Sequence, residues 1–496
     1  MTQTIQLSKS QYLKGLQCPL SLWLAFYRRD IEPEQDPARE ARLKEGREIG
    51  EWAKKLFPGG AEVKAAFFDP ATGAAETRQL ADAGKTIIFE ATAIHPGDKS
   101  HARADILQKV AGTDSWDIIE VKGTTGVEDY HIDDVAFQYR VFMAAGYNIR
   151  GCFLMHINNQ YVRQGDISPS ALFLREDVTQ TVLNNLEHTE QTVAQLLKLS
   201  PAHESKIEIS KARCTKPFEC AYTRHCWRDV PKHSIFDVLR GQKANDMVSQ
   251  LGSYEIKSLP ATAIPSGAKK ADVLSHISNK VHVDKKNLEK FLQRIRYPLY
   301  YLDYETVRYG VPLFDDSRPY QQIPFQFSLH IEEEPGAELK HHSFLHQKRS
   351  DPRPAFIEAL INLCGDHGTV VVYNQTFEET VNKQLADYQP MNGDEILAIN
   401  SRMIDLYDPF QKRWLYHPQQ HGSASIKSVL PAFTDLSYET MDISNGDDAS
   451  QQYLQFIKNG LNTEAADLLW QNLGEYCKLD TFAMKVLLDI VAKHVA

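Results

Sequence analysis

Three groups of residues in this chain combine reactive side chains with informative spacing. ARADIL supplies Asp105, and fifteen residues later WDIIEVKGT supplies Glu120-x-Lys122. Side chains alternate along a strand, so Glu120 and Lys122 share one face while Val121 takes the other. A neighbouring strand carrying Asp105 would bring two carboxylates and an amine to one point. Hydrolysis of a phosphodiester with a divalent metal needs such a set: carboxylates to hold the ion and a lysine to position the nucleophile or steady charge. In the second half, YYLDYETV carries Asp303-x-Glu305, again on one strand face. VVVYNQTFEETV sets Asn374, Phe377 and Glu378 at a strand-to-helix junction, and GEYCKLDTFAM sets Tyr476 and Asp480 at helical spacing, pointing one way. The third group is sulfur. CTKPFECAYTRHC places Cys214, Cys220 and Cys226 in thirteen residues of a chain with seven cysteines. Three thiolates suit a soft metal, but a closed tetrahedral site takes four ligands. The fourth is local, His225 or His233, or it is the distant Cys18 in LQCPLSLWL. Cys18 stands before Pro19 near a helix start, where a thiolate is favoured. Cys152 lies in an apolar strand and reads as core, while Cys364 and Cys477 belong to the second half.

These residues need elements to hold them. Residues 1–57 read mostly as helix and stop at Pro58-Gly59-Gly60. Strand-like runs follow at 86–94, 102–110, 116–124 and 149–157. Between the last two, HIDDVAFQYRVFMAAG (131–146) has helical periodicity and a terminal glycine. A long helical pattern covers about 177–199, just before the cysteines. Residues 233–295 read as polar helix interrupted by SLPATAIPSGAKKAD. A second strand-rich unit begins at 297–307, continues through strand-like runs at 324–331 and 369–373, and ends in helix over 464–494. Both halves mix strand and helix, so the expected fold class is α/β.

Composition narrows the options. At 496 residues the chain exceeds one typical core, so two or three domains are expected. No apolar run approaches the roughly 20 residues that span a bilayer, and the first residues lack a signal-peptide core. A cytoplasmic location without membrane partners follows as the default. Seven cysteines in so long a chain are no disulfide framework. The net charge of -10 gives no global basic field for nucleic acid, although clustered metal-holding carboxylates would themselves make a nuclease acidic.

Asp105 and Glu120-x-Lys122, followed by a helix with Gln138 and the adjacent Tyr139, all lie between Cys18 and the later cysteines. This arrangement resembles the RecB-like branch of the PD-(D/E)xK nucleases that carry an iron–sulfur cluster. The resemblance implies a 4Fe–4S cluster on Cys18, Cys214, Cys220 and Cys226 that ties together the ends of one domain. Four thiolates accept zinc as well, so zinc is the alternative. It also implies metal on Asp105 and Glu120, with Lys122 and Gln138 catalytic. Glu48 and Glu51 are candidates for an early-helix ligand or a solvated face, and His131 lies seven residues before Gln138, either near the site or in a loop.

The order Asp303-x-Glu305, Asn374-x2-Phe377-Glu378, Tyr476-x3-Asp480 resembles the DEDD exonucleases on an RNase H-like fold. That resemblance implies two magnesium or manganese ions held by Asp303, Glu305, Glu378 and Asp480, with Asp303 bridging and Tyr476 orienting water. Glu378 stands where that family has Asp. Asp405 in RMIDLYDPF serves the site or caps a helix, and SIKSVL (425–430) resembles a helix between the family's second and third motifs. The whole chain resembles a bacterial family joining these two domain types. The implied divisions are a nuclease domain over 1–232, a helical linker region over 233–295 and an exonuclease-like domain over 296–496. The expected activity is metal-dependent cleavage of DNA ends or single strands in repair, recombination or defence, with DNA ahead of RNA. The competing expectation is a non-catalytic nucleic-acid-binding or assembly factor with a structural cluster.

Overall fold

The computed structural model describes residues 5–31, 33–34, 37–202, 207 and 209–496 and is mixed α/β. It forms two compact units: Met1–Asp229 with Tyr309–Tyr320, and Val230–Arg308 with Gln321–Ala496. The divisions expected from sequence differ from these in two places. Residues 233–295 group with the C-terminal unit, and a short stretch following the Asp303 strand groups with the N-terminal one.

Unit 1 opens with three helices, α1 (Lys9–Gln17), α2 (Pro19–Tyr27) and α3 (Pro37–Lys54). Proline at the first position of α2 fits because its missing N–H would lack an intrahelical partner anyway. Ser8 starts α1 with a reciprocal cap. Its Oγ accepts the Gln11 backbone N–H at 3.3 Å, and Gln11 Oε1 accepts the Ser8 N–H at 2.8 Å. That cap makes Lys9 the first residue of the helix. The sheet follows with β1 (Ala61–Glu62), helix α4 (Pro70–Asp82), β2 (Ile87–Ile94), β3 (His101–Lys109), β4 (Ser115–Lys122), helix α5 (Asp129–Ala144), β5 (Asn148–Ile157), β6 (Phe173–Asp177) and helix α6 (Thr179–Leu196). Its strand order is β1-β2-β3-β4-β5-β6. β2, β3 and β4 are antiparallel neighbours, whereas β4 and β5 run parallel across the α5 connection. Along β3, Ala102, Ala104 and Ile106 are buried on one face, which turns Asp105 to the other. The core joins these strands to α1 and α5, with Tyr12 stacked on Phe137 at 4.7 Å between ring centroids.

Residues 309–320 complete unit 1. Tyr309 donates its hydroxyl to Glu48 at 2.8 Å, the Gly310 N–H donates to Glu45 at 2.7 Å, and Tyr320 donates to the Gly123 carbonyl. A Cβ on Gly310 would meet the Tyr320 hydroxyl at 2.7 Å, so glycine permits this approach.

In unit 2, helix α7 (Ala268–Ser278) precedes a five-stranded sheet built from β7 (Leu299–Val307), β8 (Ile323–Glu332), β9 (Lys340–Leu345), β10 (Thr369–Val372) and β11 (Met403–Asp405). The strand order is β9-β8-β7-β10-β11. The first three are antiparallel, and β10 and β11 join in parallel. Helices α8 (Arg353–Cys364) and α9 (Gln375–Tyr388) form parallel-strand connections. Helices α10 (Ile426–Phe433), α11 (Gly446–Asn459) and α12 (Thr463–Lys493) follow. All ten residues of β8 are buried, as expected of a strand covered on both faces. His282–Val283 pairs with Leu415–Tyr416, which ties the 230–295 segment to this unit.

Candidate functional site

In unit 1, β3 and β4 bring Asp105, Glu120 and Lys122 together, and α5 adds Gln138. Lys122 Nζ lies 2.9 Å from Glu120 and 2.5 Å from Asp134. Gln138 Nε2 donates to Glu120 at 2.8 Å and to Asp134 at 2.9 Å. Asp134 and Gln138 are one helical turn apart on α5 and therefore face the same way. A second lysine arrives from the start of α1: Lys9 Nζ is 2.6 Å from Glu120 and 3.5 Å from Asp134. Asp105 accepts the Val121 backbone N–H at 2.7 Å.

The electrostatics of the group follow from this geometry. Burial disfavours charge on Lys9 and Lys122, but Asp134 and Glu120 outweigh it and hold both amines above the usual lysine range. Burial likewise opposes the Asp134 charge, yet the two lysines pull that carboxyl below the usual range. Asp105 shifts the other way. Burial, reinforced by the Glu120 charge, pushes it up to about 7, because the lysines are engaged closely by Glu120 and Asp134. On β2, Glu90 falls opposite Asp105 in the antiparallel register and pairs with Arg103 at 2.9 Å. Its φ of 57° is the left-handed region, unusual for a non-glycine residue inside a strand.

The other unit 1 candidates lie outside this network. Glu48 accepts from Tyr309, and Glu51 is largely exposed and pairs with Lys54. His131 is buried in the first turn of α5, where its Nδ1 accepts the Glu128 N–H at 3.0 Å. Tyr139 packs against the apolar core rather than joining the hydrogen bonds of Gln138.

Cys18, Cys214, Cys220 and Cys226 line one small cavity together with Leu20, Ser21 and Tyr222. Cys18 is the junction residue between α1 and α2. Gln17 Nε2 donates to the Arg213 and Phe218 carbonyls at 2.8 and 2.7 Å, fastening the end of α1 to the cysteine segment. Burial raises the Cys18 thiol and pushes Cys226 up to about 11. Neither histidine considered as a fourth ligand lines this cavity, and His233 belongs to unit 2. The four-sulfur donor set suits a thiophilic metal centre.

In unit 2, ligand atoms of Asp303, Glu305 and Cys477 lie within 4.8 Å of one another. Asp303 and Glu305 come from β7, and Cys477 from α12, which also carries Tyr476 and Asp480. Burial raises Asp303, Glu305 and Glu378 well above the carboxylate range, and repulsion adds to it, from Asp480 on Asp303 and from Asp303 on Glu305 and Glu378. Asp480 rises less, up to about 6. Burial again leads, but a hydrogen bond from Tyr438 at 2.7 Å and the nearby Lys427 offset part of the effect. Lys427, on α10, lies 5.2 Å from the Tyr476 ring centroid and 5.6 Å from that of Tyr438. Glu378 is buried, and its Oε2 has no hydrogen-bond partner. An orphaned buried oxygen beside other raised carboxyls is the donor set a divalent cation would complete. Asp405 has a different role: it accepts the N–H groups of Asn374 at 2.9 Å, Gln375 at 3.2 Å and Tyr407 at 2.9 Å, closing the start of α9.

Sequence reasoning missed five participants. Asp134 carried a usable signal, its helical spacing from Gln138. Lys427 sits inside the quoted SIKSVL, and Cys477 adjoins Tyr476, yet nothing in the pattern alone selected either. Lys9 and Tyr438 reach their partners only through tertiary folding.

A family profile described as a domain of unknown function (DUF2779) matches residues 300–425. This stretch holds Asp303, Glu305 and Glu378 and stops short of Lys427, Tyr476 and Asp480. Two curated relatives are similar to the chain. The uncharacterized protein MG366 homolog of Mycoplasma pneumoniae is 28% identical over 237 residues, covering 42% of this chain and 36% of the relative. The uncharacterized protein MG366 of Mycoplasma genitalium is 27% identical over 206 residues, covering 37% of this chain and 30% of the relative. The chain thus spans about a third of the length of these relatives.

Proposed function

We propose that the chain is a metal-dependent nuclease with two active sites, acting on DNA ends or single strands in repair, recombination or defence. Unit 1 is read as a RecB-like PD-(D/E)xK domain and unit 2 as an RNase H-like exonuclease domain. The observation that carries this reading is the unit 2 group, in which Asp303 and Glu305 bring ligand atoms within 4.8 Å of each other and the buried Asp480 and Glu378, from two further motifs, interact electrostatically with Asp303, with Lys427 nearby. Magnesium or manganese bound there would supply Lewis-acid activation of water and charge neutralisation at phosphate. Asp303, Glu305, Glu378 and Asp480 would hold it, and Tyr476 and Lys427 would steady the attacking water and the phosphate. In unit 1, Asp105 and Glu120 would hold metal while Lys122 and Gln138 orient Glu120 and the nucleophile. The four cysteines are read as ligands of a 4Fe–4S cluster, with zinc as the alternative. An absorption spectrum after anaerobic purification separates the two, and Cys18→Ser should lose the metal.

The deciding experiment is cleavage of end-labelled single-stranded DNA, double-stranded DNA and RNA with manganese. The proteins compared are wild type, Glu120→Gln, Asp303→Ala and the double variant. Each single substitution should remove one product class, by about a hundredfold or more, and leave the other. The losses should be independent because the two groups share no ligand. Wild-type ladders from the double variant would overturn both site assignments, and no cleavage of any substrate by the wild type would overturn the enzyme reading and leave a binding or assembly factor. Cleavage confined to RNA would overturn the choice of DNA.

A further inference from the structure

Unit 2 contains a polar cavity that the nuclease reading does not use. Its volume is about 260 Å3, and its walls include Lys232, His233, Glu255, Lys257, His276 and His421. These come from distant parts of the sequence. His276 lies on α7, one turn after Asp272, and His421 comes from the loop after Leu415–Tyr416. That loop has an unusual backbone. His421 (φ 48°) and Gly422 (φ 78°) are both left-handed, and a Cβ on Gly422 would stand 2.8 Å from His233 Nε2. Glycine at this position therefore lets the loop close over the His233 ring while His421 turns toward the cavity.

His233 is 2% exposed, lines the cavity, and has no hydrogen-bond partner on either ring nitrogen. Such a group demands a reason, because a buried polar atom without a partner is destabilising. Behind it, Asp272 is fully buried, 3.2 Å from His233 Nε2, with Lys269 at 3.5 Å and Arg413 at 3.6 Å. Burial lowers the His233 ring to about 4 despite the pull of Asp272, so the ring is neutral and its single N–H faces the Asp272 carboxylate, leaving the lysines, His276 and His421 as the donors to the cavity. The charge at the walls favours an anion. Lys257 lies 2.6 Å from Glu255, and two lysines against one carboxylate leave +1.

We propose that this cavity binds a phosphate group, as free phosphate or as the phosphomonoester of a nucleotide. A tetrahedral anion with four acceptor oxygens suits ammonium and imidazole donors approaching from several sides, and the cavity has space beyond the phosphate for part of a sugar. The site uses none of the carboxyls assigned to metal, so it stands whether or not the chain proves to be a nuclease.

Isothermal titration calorimetry on the full-length protein in EDTA tests this, because chelation removes metal-bridged phosphate binding at the Asp303 group. Inorganic phosphate and thymidine 5′-monophosphate should each saturate a single site, while thymidine and acetate should give no saturable heat. The Lys232→Ala/Lys257→Ala protein should bind phosphate at least about tenfold more weakly, with an unchanged circular-dichroism spectrum. His276→Gln, which keeps the fold polar and close to the same volume, should weaken it several-fold and serves if the double variant misfolds. Absence of saturable phosphate binding, equal affinity for acetate, or wild-type affinity in both variants would overturn the proposal.

Discussion

In unit 1, the carboxylates Asp105, Glu120 and Asp134 meet Lys9 and Lys122; three against two leaves a formal -1. In unit 2, Asp303, Glu305, Glu378 and Asp480 meet Lys427, and four against one leaves -3. The two groups also differ in how their ionisation responds. The lysines of unit 1 hold Asp134 ionised, so that site is charged and cross-linked before any ion arrives. Most of the unit 2 carboxyls are driven toward the neutral acid, because burying an uncompensated charge costs more than keeping its proton. Unit 1 is organised by its own side chains, while the unit 2 carboxyls would need a cation from solution to become fully charged.

The largest expected effect tests the first half of that contrast. Lys122→Ala removes one of the two amines that bridge Glu120 and Asp134 and leaves Lys9 alone against three buried or half-buried carboxyls. It should cost unit 1 about 3–5 kcal/mol of stability, read as a lower urea midpoint. Lys122→Met with Asp134→Leu should recover most of that loss. An unchanged midpoint for Lys122→Ala would break the contrast.

Manganese tests the second half. At about 100 times its dissociation constant a bound ion adds roughly 2.7 kcal/mol to the unit that holds it. The gain should be larger in unit 2 by scanning calorimetry, and Asp303→Asn should abolish it there. Equal stabilisation of both units would remove the distinction.

The pH dependence sharpens the comparison further. Asp480 is raised to about 6, so its contribution to metal-free stability is present at low pH and is lost as pH rises through that value. Metal binding has the opposite sign, because the proton must leave first. Manganese affinity at unit 2 should fall with falling pH by about tenfold per pH unit for each proton displaced, with proton release visible as a buffer-dependent binding enthalpy. Asp480→Asn should remove the part of that release that titrates near pH 6 and leave the share of the more strongly raised Asp303, Glu305 and Glu378.

The smallest effect concerns how Lys9 reaches its partners. Ser8→Ala deletes the reciprocal cap that starts α1 and should cost about 1 kcal/mol, with unit 2 unaffected in the same calorimetric trace.

Much of this arrangement is legible in the amino-acid order, for identifiable reasons. The Asp105 strand alternates over His101–Ile106 and the Glu120 strand is a short, mostly buried run, and their spans His101–Lys109 and Ser115–Lys122 match the expected runs to within two residues. Phe173–Asp177 does not read as a strand, because four of its five residues are exposed at the sheet edge and leave no apolar face to detect. The same logic divides the sites. Residues joined by strand or helix period, such as Glu120 with Lys122 or Tyr476 with Asp480, declare themselves. Lys9, which reaches Glu120 across 111 positions, belongs to no period and becomes visible only when α1 is packed. Residues 230–295 look like linker because their helices are short and polar, yet the Leu415–Tyr416 pairing shows where they belong.

The 309–320 stretch constrains how this gene can be divided. The polypeptide leaves unit 1 at Asp229, returns for twelve residues, and leaves again at Tyr320. Any single break in the coding sequence that separates the two halves therefore sends the stretch away with unit 2. A fragment ending near 229 keeps Glu45 and Glu48 but loses the tyrosine and glycine that engage them. Such a fragment should be poorly soluble unless a peptide of residues 309–320 is supplied in trans. Recombination between coding sequences faces the same obstacle: exchanging one half for a foreign one works only when the incoming half brings a stretch with matching donors. The two units are thus tied in inheritance by twelve residues that belong to neither end of the chain.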